Sequence, residues 1–213
     1  MTNNDHPARK VVILNGPPGS GKNTGALAIC GYVSQHATWM QPRHLKFAEP
    51  LKRATHALVD TALPWDAFDR PESGKLKNVP SGDFMGLSPR EFYIALSEKF
   101  MKPEFGDDFL GYIMRKRMVR AKGCMLFVMS DGQLAEVANV IDYVGARNVL
   151  IIELEAPGCT FEGDSRSYIG KDLQSRHDKL VVRRIQNDLE DRELFRIFCI
   201  GAAKKFLQIE ERV

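Results

Sequence analysis

The stretch KVVILNGPPGSGKNT, residues 10–24, decides how the rest of the chain is read. Val11–Leu14 is a continuous apolar run with the character of a buried parallel strand, and it leads into Gly16-Pro17-Pro18-Gly19-Ser20-Gly21-Lys22 and then into residues with helical spacing. Strand, glycine-rich loop, lysine and helix in that order form the context a P-loop requires. Glycine lets successive backbone N–H groups curl around phosphate oxygens with no Cβ in the way. The helix N-terminus adds a positive partial charge at the same spot, and Lys22 adds a full one. The nucleotide-contact candidates are therefore Gly16, Pro17, Gly19, Ser20, Gly21, Lys22, Asn23 and Thr24. One position departs from the pattern: Asn23 stands where Ser or Thr ordinarily meets Mg²⁺. It can offer a carbonyl oxygen or hold a metal-bound water, and Thr24 can reach the α-phosphate.

Outward from this loop, apolar stretches alternate with helix-period segments, which implies βα units around a parallel sheet. Strands are expected at Lys10–Asn15, His44–Phe47, Cys124–Ser130, Val149–Glu153 and Leu180–Arg184. Helices are expected at Lys22–Ser34, Pro50–Ala62, Pro89–Met101, Asp107–Ala121, Gln133–Val144 and Leu189–Phe206. Periodicity fails between Leu63 and Ser88, where Trp65, Phe68 and Phe84 suggest a substrate-covering insertion. A second irregular stretch, Ala156–His177, carries Asp164, Arg166, Lys171, Arg176 and His177 and is read as a lid over the phosphates, with Arg166 and Arg176 as candidates to stabilise charge on a transferring phosphoryl group.

The chain has 213 residues, enough for one α/β domain with insertions. No apolar run is long enough to span a bilayer, and MTNNDHPARK has no apolar signal core. Cys30, Cys124, Cys159 and Cys199 lack CxxC spacing, so free thiols in a reducing cytoplasm are expected. The net charge of +3 permits an anionic partner without requiring one. Arg115, Lys116, Arg117, Arg120 and Lys122 form a local cluster, either a solvated helix face or a phosphate-contacting one.

The apolar run CMLFVMSD ends in Asp131, placed to hold Mg²⁺ directly or through water, although an Asp after a strand also serves as a turn or cap. With Asn23 it makes the candidate metal pair. GPPGSGKNT, FAEPLKRA, SPREFYIAL, FGDDFLGYIMRKRM, FVMSDGQ, the DSRS stretch at Asp164 and QNDLEDREL follow one another in an order and spacing that resembles the phage deoxynucleoside monophosphate kinases. The resemblance covers most of the chain. It implies a nucleoside-monophosphate-kinase-like three-layer αβα sandwich with a five-stranded parallel sheet, Mg-ATP as donor, a phage-infected host cytoplasm, and an acceptor site built from the segments at Glu49, Arg90 and Asp131.

Two departures from that family bear on the acceptor. Where it usually carries D-x-R, this chain reads Asp131-Gly132-Gln133, and Ala48-Glu49-Pro50 replaces a small residue before the proline. A Glu there resembles the deoxyribonucleoside kinases, in which it takes the proton of an acceptor hydroxyl. A phosphate acceptor needs cations and no base, whereas a hydroxyl of pKa about 15 needs a carboxylate nearby. Loss of Arg with gain of Glu implies a hydroxyl acceptor. One branch resembling these kinases phosphorylates the 5-hydroxymethyl group of 5-hydroxymethyluridine in DNA, a step toward hypermodified thymidine, and phage DNA carrying that modified pyrimidine is the acceptor the resemblance favours here. The alternatives are a deoxynucleoside monophosphate acceptor and, from another class, a nucleotide-binding switch.

Each candidate has a plainer role beside its chemical one. Glu49 is a general base or an acid at a helix start beside Pro50. Arg90 pins a phosphate or pairs with a nearby carboxylate. Lys52 is read as a solvated helix lysine, and His44, His56 and His177, without metal or triad spacing, as structural. Trp65 and Phe68 either stack on a base or pack in a satellite core.

Overall fold

In the computed structural model, residues 9–69, 74–164 and 166–210 are described. The part of the expected insertion at 70–73, and Ser165 of the lid-like segment, lie outside them. Five parallel strands form one sheet among these residues: β1 (Lys10–Asn15), β2 (Pro42–Leu45), β3 (Leu126–Met129), β4 (Val149–Glu155) and β5 (Val181–Gln186), ordered β2-β3-β1-β4-β5. Strand β1 is central, and its period of two divides the core. Val11 and Ile13 face one side with Met114, Met118, Val137 and Ile141, and Val12 and Leu14 face the other with Ala26, Ile29, Val33 and Cys199. Helices therefore cover both faces. Helices α1 (Lys22–His36) and α8 (Arg192–Leu207) pack on the second side; α5 (Phe109–Arg120) and α6 (Leu134–Val144) pack on the first. The expected α/β sandwich with a five-stranded parallel sheet is what forms.

Element boundaries shift where side chains capture backbone groups. Strand β2 ends at Leu45 rather than Phe47 because the Phe47 and Ala48 amides donate to the Asp131 carboxylate instead of a neighbouring strand. Helix α2 (Glu49–Leu58) stops short of Ala62, with Asp60 in the left-handed region at φ 50°. The expected Pro89–Met101 helix is α3 (Pro89–Leu96) followed by a wider π turn over Ser97–Met101 and the short α4 (Lys102–Phe105). Pro103 has no N–H and crowds the carbonyl of Lys99, so the widening falls where a regular turn cannot continue. Helix α8 begins at Arg192, not Leu189, because Asn187 and Asp188 accept from the Leu189, Glu190 and Asp191 amides before Asp191 caps the helix at Leu194.

The described parts of the insertion fold into short 3₁₀ turns anchored by aromatic contacts. Phe84 is fully buried against His56, Phe68, Phe92 and Tyr93. The lid-like segment contains α7 (Gly170–Arg176), which periodicity did not suggest. No helix among the described residues is long and apolar enough to cross a membrane.

Candidate nucleotide and acceptor site

The loop from Gly16 to Gly21 lies between the buried end of β1 and the start of α1. Gly19 and Gly21 take φ of 84° and 92°, and a Cβ on Gly21 would come within 2.7 Å of the Asn187 amide nitrogen. Glycine is thus required both for the turn and for close packing under the loop. Fully buried Ser20 donates to the Pro17 carbonyl at 2.9 Å, and Asn187 donates to the Ser20 carbonyl at 3.1 Å. With no acidic side chain in its first turn, α1 leaves its positive end uncompensated.

Lys22 bends back over this loop. Its ammonium donates to the Gly16 and Pro17 carbonyls at 2.6 and 2.5 Å. Burial, and next the Arg166 charge, push its pKa down to about 8 from the ordinary 10.5. Asn23 and Thr24 line the same cavity. The side-chain Oδ1 of Asn23 accepts from the Ser130 hydroxyl at 2.8 Å, and Ser130 in turn lies 2.7 Å from His44 Nε2.

That cavity, about 480 Å³, opens beside the P-loop. Asp131 lines it from the end of β3, with Oδ1 accepting from Phe47 N at 2.7 Å and Oδ2 from Ala48 N at 3.1 Å. Arg90 enters from α3, and Arg166 from the lid-like segment. Both converge on Asp164: Arg166 donates through Nε at 2.8 Å and Nη2 at 2.6 Å, and Arg90 through Nη2 at 3.1 Å. Burial pushes the Asp164 carboxyl up, but the Arg166 bonds and charge outweigh it and leave the pKa lowered.

Lys46, Lys52 and Lys77 bring further cations to the wall. Asp69 binds both Lys46, at 3.0 Å, and Lys52. Lys52 is therefore a cavity residue in an ion pair rather than a solvated lysine. An apolar face of Leu51, Phe68, Tyr93, Ile94 and Leu110 completes the enclosure. Trp65 lies instead under the Arg53 guanidinium, 4.9 Å from the ring centroid to Cζ.

Glu49 stands apart. Its carboxylate accepts from Arg117 Nη2 at 2.5 Å and Arg53 Nε at 3.0 Å, and it does not line the cavity. Gln133 does, with its side-chain oxygen accepting from Lys102 at 2.7 Å, an ammonium shared with Glu98. The structure thus brings Lys22, Asn23, Thr24, Arg90, Asp131 and Arg166 together and turns Glu49 toward two arginines. Arg176, at the end of α7, is exposed and outside the cavity wall.

Several site residues escaped the sequence, His44, Glu136 and Asp69 among them. His44 joins the site through Ser130, a link that only the pairing of β2 with β3 creates. Glu136 lines the cavity 4 % exposed; its Oε2 accepts from the Gln133 amide in a capping box whose Q-x-x-E pattern is visible in the sequence. Asp69 sits in the insertion, where nothing distinguished it.

Among the described residues no three His, Cys, Asp or Glu side chains gather as a metal-binding cluster. Mg²⁺ bound with a nucleotide takes most of its ligands from phosphates and water and needs one or two from protein. Asn23, Ser130 and Asp131 at the P-loop fit that demand.

No family model matches the chain, and no curated protein does. Among solved structures, an unliganded sugar kinase from Janibacter sp. HTCC2649 superposes with a TM-score of 0.39 at 16% identity, covering 95% of this chain and 96% of that one. A likeness at that level transfers neither activity nor substrate.

Proposed function

We propose that this chain is an ATP-dependent phosphotransferase with a nucleotide acceptor, and that a deoxynucleoside monophosphate is the acceptor its geometry supports best. The observation that supports this most is the meeting of the P-loop and Lys22 with Lys46, Lys52, Lys77, Arg90 and Arg166 on one cavity. A donor triphosphate on loop amides and an acceptor phosphate on side-chain cations would be held in line by such a wall, and phosphoryl transfer is chiefly positioning plus charge stabilisation. Phe68, Tyr93 and Ile94 offer an apolar surface suited to a base. ATP would rest on Gly16–Thr24, with Asn23 and Asp131 on the magnesium side.

Glu49 turns the choice of acceptor. A base for hydroxyl attack must reach the reacting oxygen, and Glu49 is committed to Arg117 and Arg53. The second reading, transfer to the 5-hydroxymethyl group of 5-hydroxymethyluridine in phage DNA, keeps support from another carboxyl. Glu136 lines the cavity, and burial pushes its pKa up to about 7, a suitable strength for a general base. Gln133 in place of an arginine belongs with the same reading.

The test incubates the protein with γ-labelled ATP and, in parallel, each deoxynucleoside monophosphate, hydroxymethyluridine duplex and plain duplex. Label on a monophosphate is expected. Label on the modified duplex alone would replace this reading by the second, and ATP binding without transfer to any acceptor would leave a nucleotide-binding switch.

A further inference from the structure

The P-loop lacks the hydroxyl that ordinarily follows its lysine, yet a hydroxyl is present beside that position. Ser130, just past the end of β3, donates to the side-chain Oδ1 of Asn23, the residue after Lys22, at 2.8 Å. Both residues line the nucleotide cavity, and Ser130 is 2 % exposed. Having given its one hydrogen to Asn23, Ser130 can only accept from His44, 2.7 Å away. His44 therefore carries its proton on Nε2, and one lone pair of the Ser130 oxygen remains for a further ligand. The loop's own Ser20, bonded to Pro17 beneath the loop, does not line the cavity, whereas Ser130 does.

We propose that Ser130 supplies the missing P-loop hydroxyl on the magnesium side of the bound nucleotide, with His44 as its positioning residue. The inference rests on the reading of this loop as an ATP site. Two halves of the usual function are divided between a helix and a strand end here: α1 contributes Asn23, and the residue just after β3 contributes the hydroxyl next to Asp131. β2 then delivers the imidazole that orients it, because β2 and β3 pair in parallel with His44 opposite Val128. A group that orients a metal ligand is typically worth about 10–100-fold in metal affinity.

The experiment measures the affinity of a fluorescent ATP analogue in EDTA and in Mg²⁺, and takes the ratio, for wild type, Ser130→Ala, His44→Leu, His44→Gln and Thr24→Ala. Wild type should bind more tightly with magnesium. Ser130→Ala should lower the ratio by about tenfold or more; His44→Leu should follow it, and His44→Gln, whose amide can still donate to Ser130, should restore it. An unchanged ratio in Ser130→Ala, with the loss appearing in Thr24→Ala instead, would overturn the assignment while leaving the ATP site intact. Wild type that binds the analogue in neither condition would remove the nucleotide reading itself. Recovery of fold by thermal melting accompanies each variant, so that a ratio is read only from folded protein.

Discussion

Asp164 holds Arg166 in a two-pronged pair, Nε on Oδ1 and Nη2 on Oδ2, and fixes the direction of the guanidinium over the cavity before any phosphate arrives. The same carboxylate takes Arg90. Two arginines from distant parts of the chain are thereby set as a unit, with little rotamer entropy left to lose on binding.

Removing Arg166 should therefore damage turnover more than ATP binding. Arg166→Ala is expected to lower kcat by on the order of 10³-fold, the scale of an arginine that stabilises transition-state charge. Arg166→Lys should rescue little, because an ammonium cannot make the fork. Asp164→Ala should give a smaller loss through misorientation. Steady-state transfer from labelled ATP measures all three, and an Arg166→Ala enzyme with wild-type kcat would remove the residue from the chemistry.

Lys22 predicts a pH dependence. Its pKa of about 8 in the free protein means that the ammonium discharges as pH rises past that value. ATP affinity should fall between pH 7 and 9, and Lys22→Met should be weaker throughout and flat over the same range. The sign for stability is opposite: between about 8 and 10.5 the unfolded chain binds more protons than the folded one, so this group adds stability as pH rises through that window. Binding titrations at three pH values decide it.

The sheet was legible because buried parallel strands are written as continuous apolar runs, and β1 was read to its exact ends. The P-loop was legible for a similar reason: its chemistry is local, and loop, lysine and helix are consecutive. The acceptor side was not. Asp69, Arg90 and Arg166 meet only after the insertion and the lid-like segment fold over the sheet, and Glu49 sits one helical turn from Arg53 and across from Arg117 on α5, so its orientation is a tertiary outcome. His44 looked structural because its partner Ser130 is eighty-six positions away.

Glu49→Gln tests that orientation. With its carboxylate turned to Arg117 and Arg53, the substitution should cost less than about tenfold in turnover, against 10²–10⁴-fold for a general base. It should instead weaken the fold, by roughly 1 kcal/mol for a partly exposed ion pair. A loss of turnover above a hundredfold with unaltered stability would return Glu49 to the reaction.

Glu136 combines a stability prediction with a chemical one. Burial, reinforced by Asp131 and opposed by the Gln133 backbone bond, pushes its pKa up to about 7 from 4.5. The folded pKa lies above the unfolded one, so between about 4.5 and 7 the folded chain binds more protons and this group's contribution is lost as pH rises through that window. A shift of that size corresponds to on the order of 3 kcal/mol between pH 4 and pH 8. Glu136→Gln keeps a side-chain acceptor for the Gln133 amide at the capping position and removes the charge. The variant should therefore unfold at a higher temperature than wild type at pH 8, with the difference shrinking toward pH 5; the comparison cancels every other titrating group distant from the site. Turnover separates the two acceptors in the same protein: transfer to a monophosphate should survive the substitution within a few fold, whereas a hydroxyl acceptor that uses Glu136 as base should lose about 10²–10⁴-fold. Equal melting differences at both pH values would place the carboxyl in a solvent-like setting and withdraw it as a base.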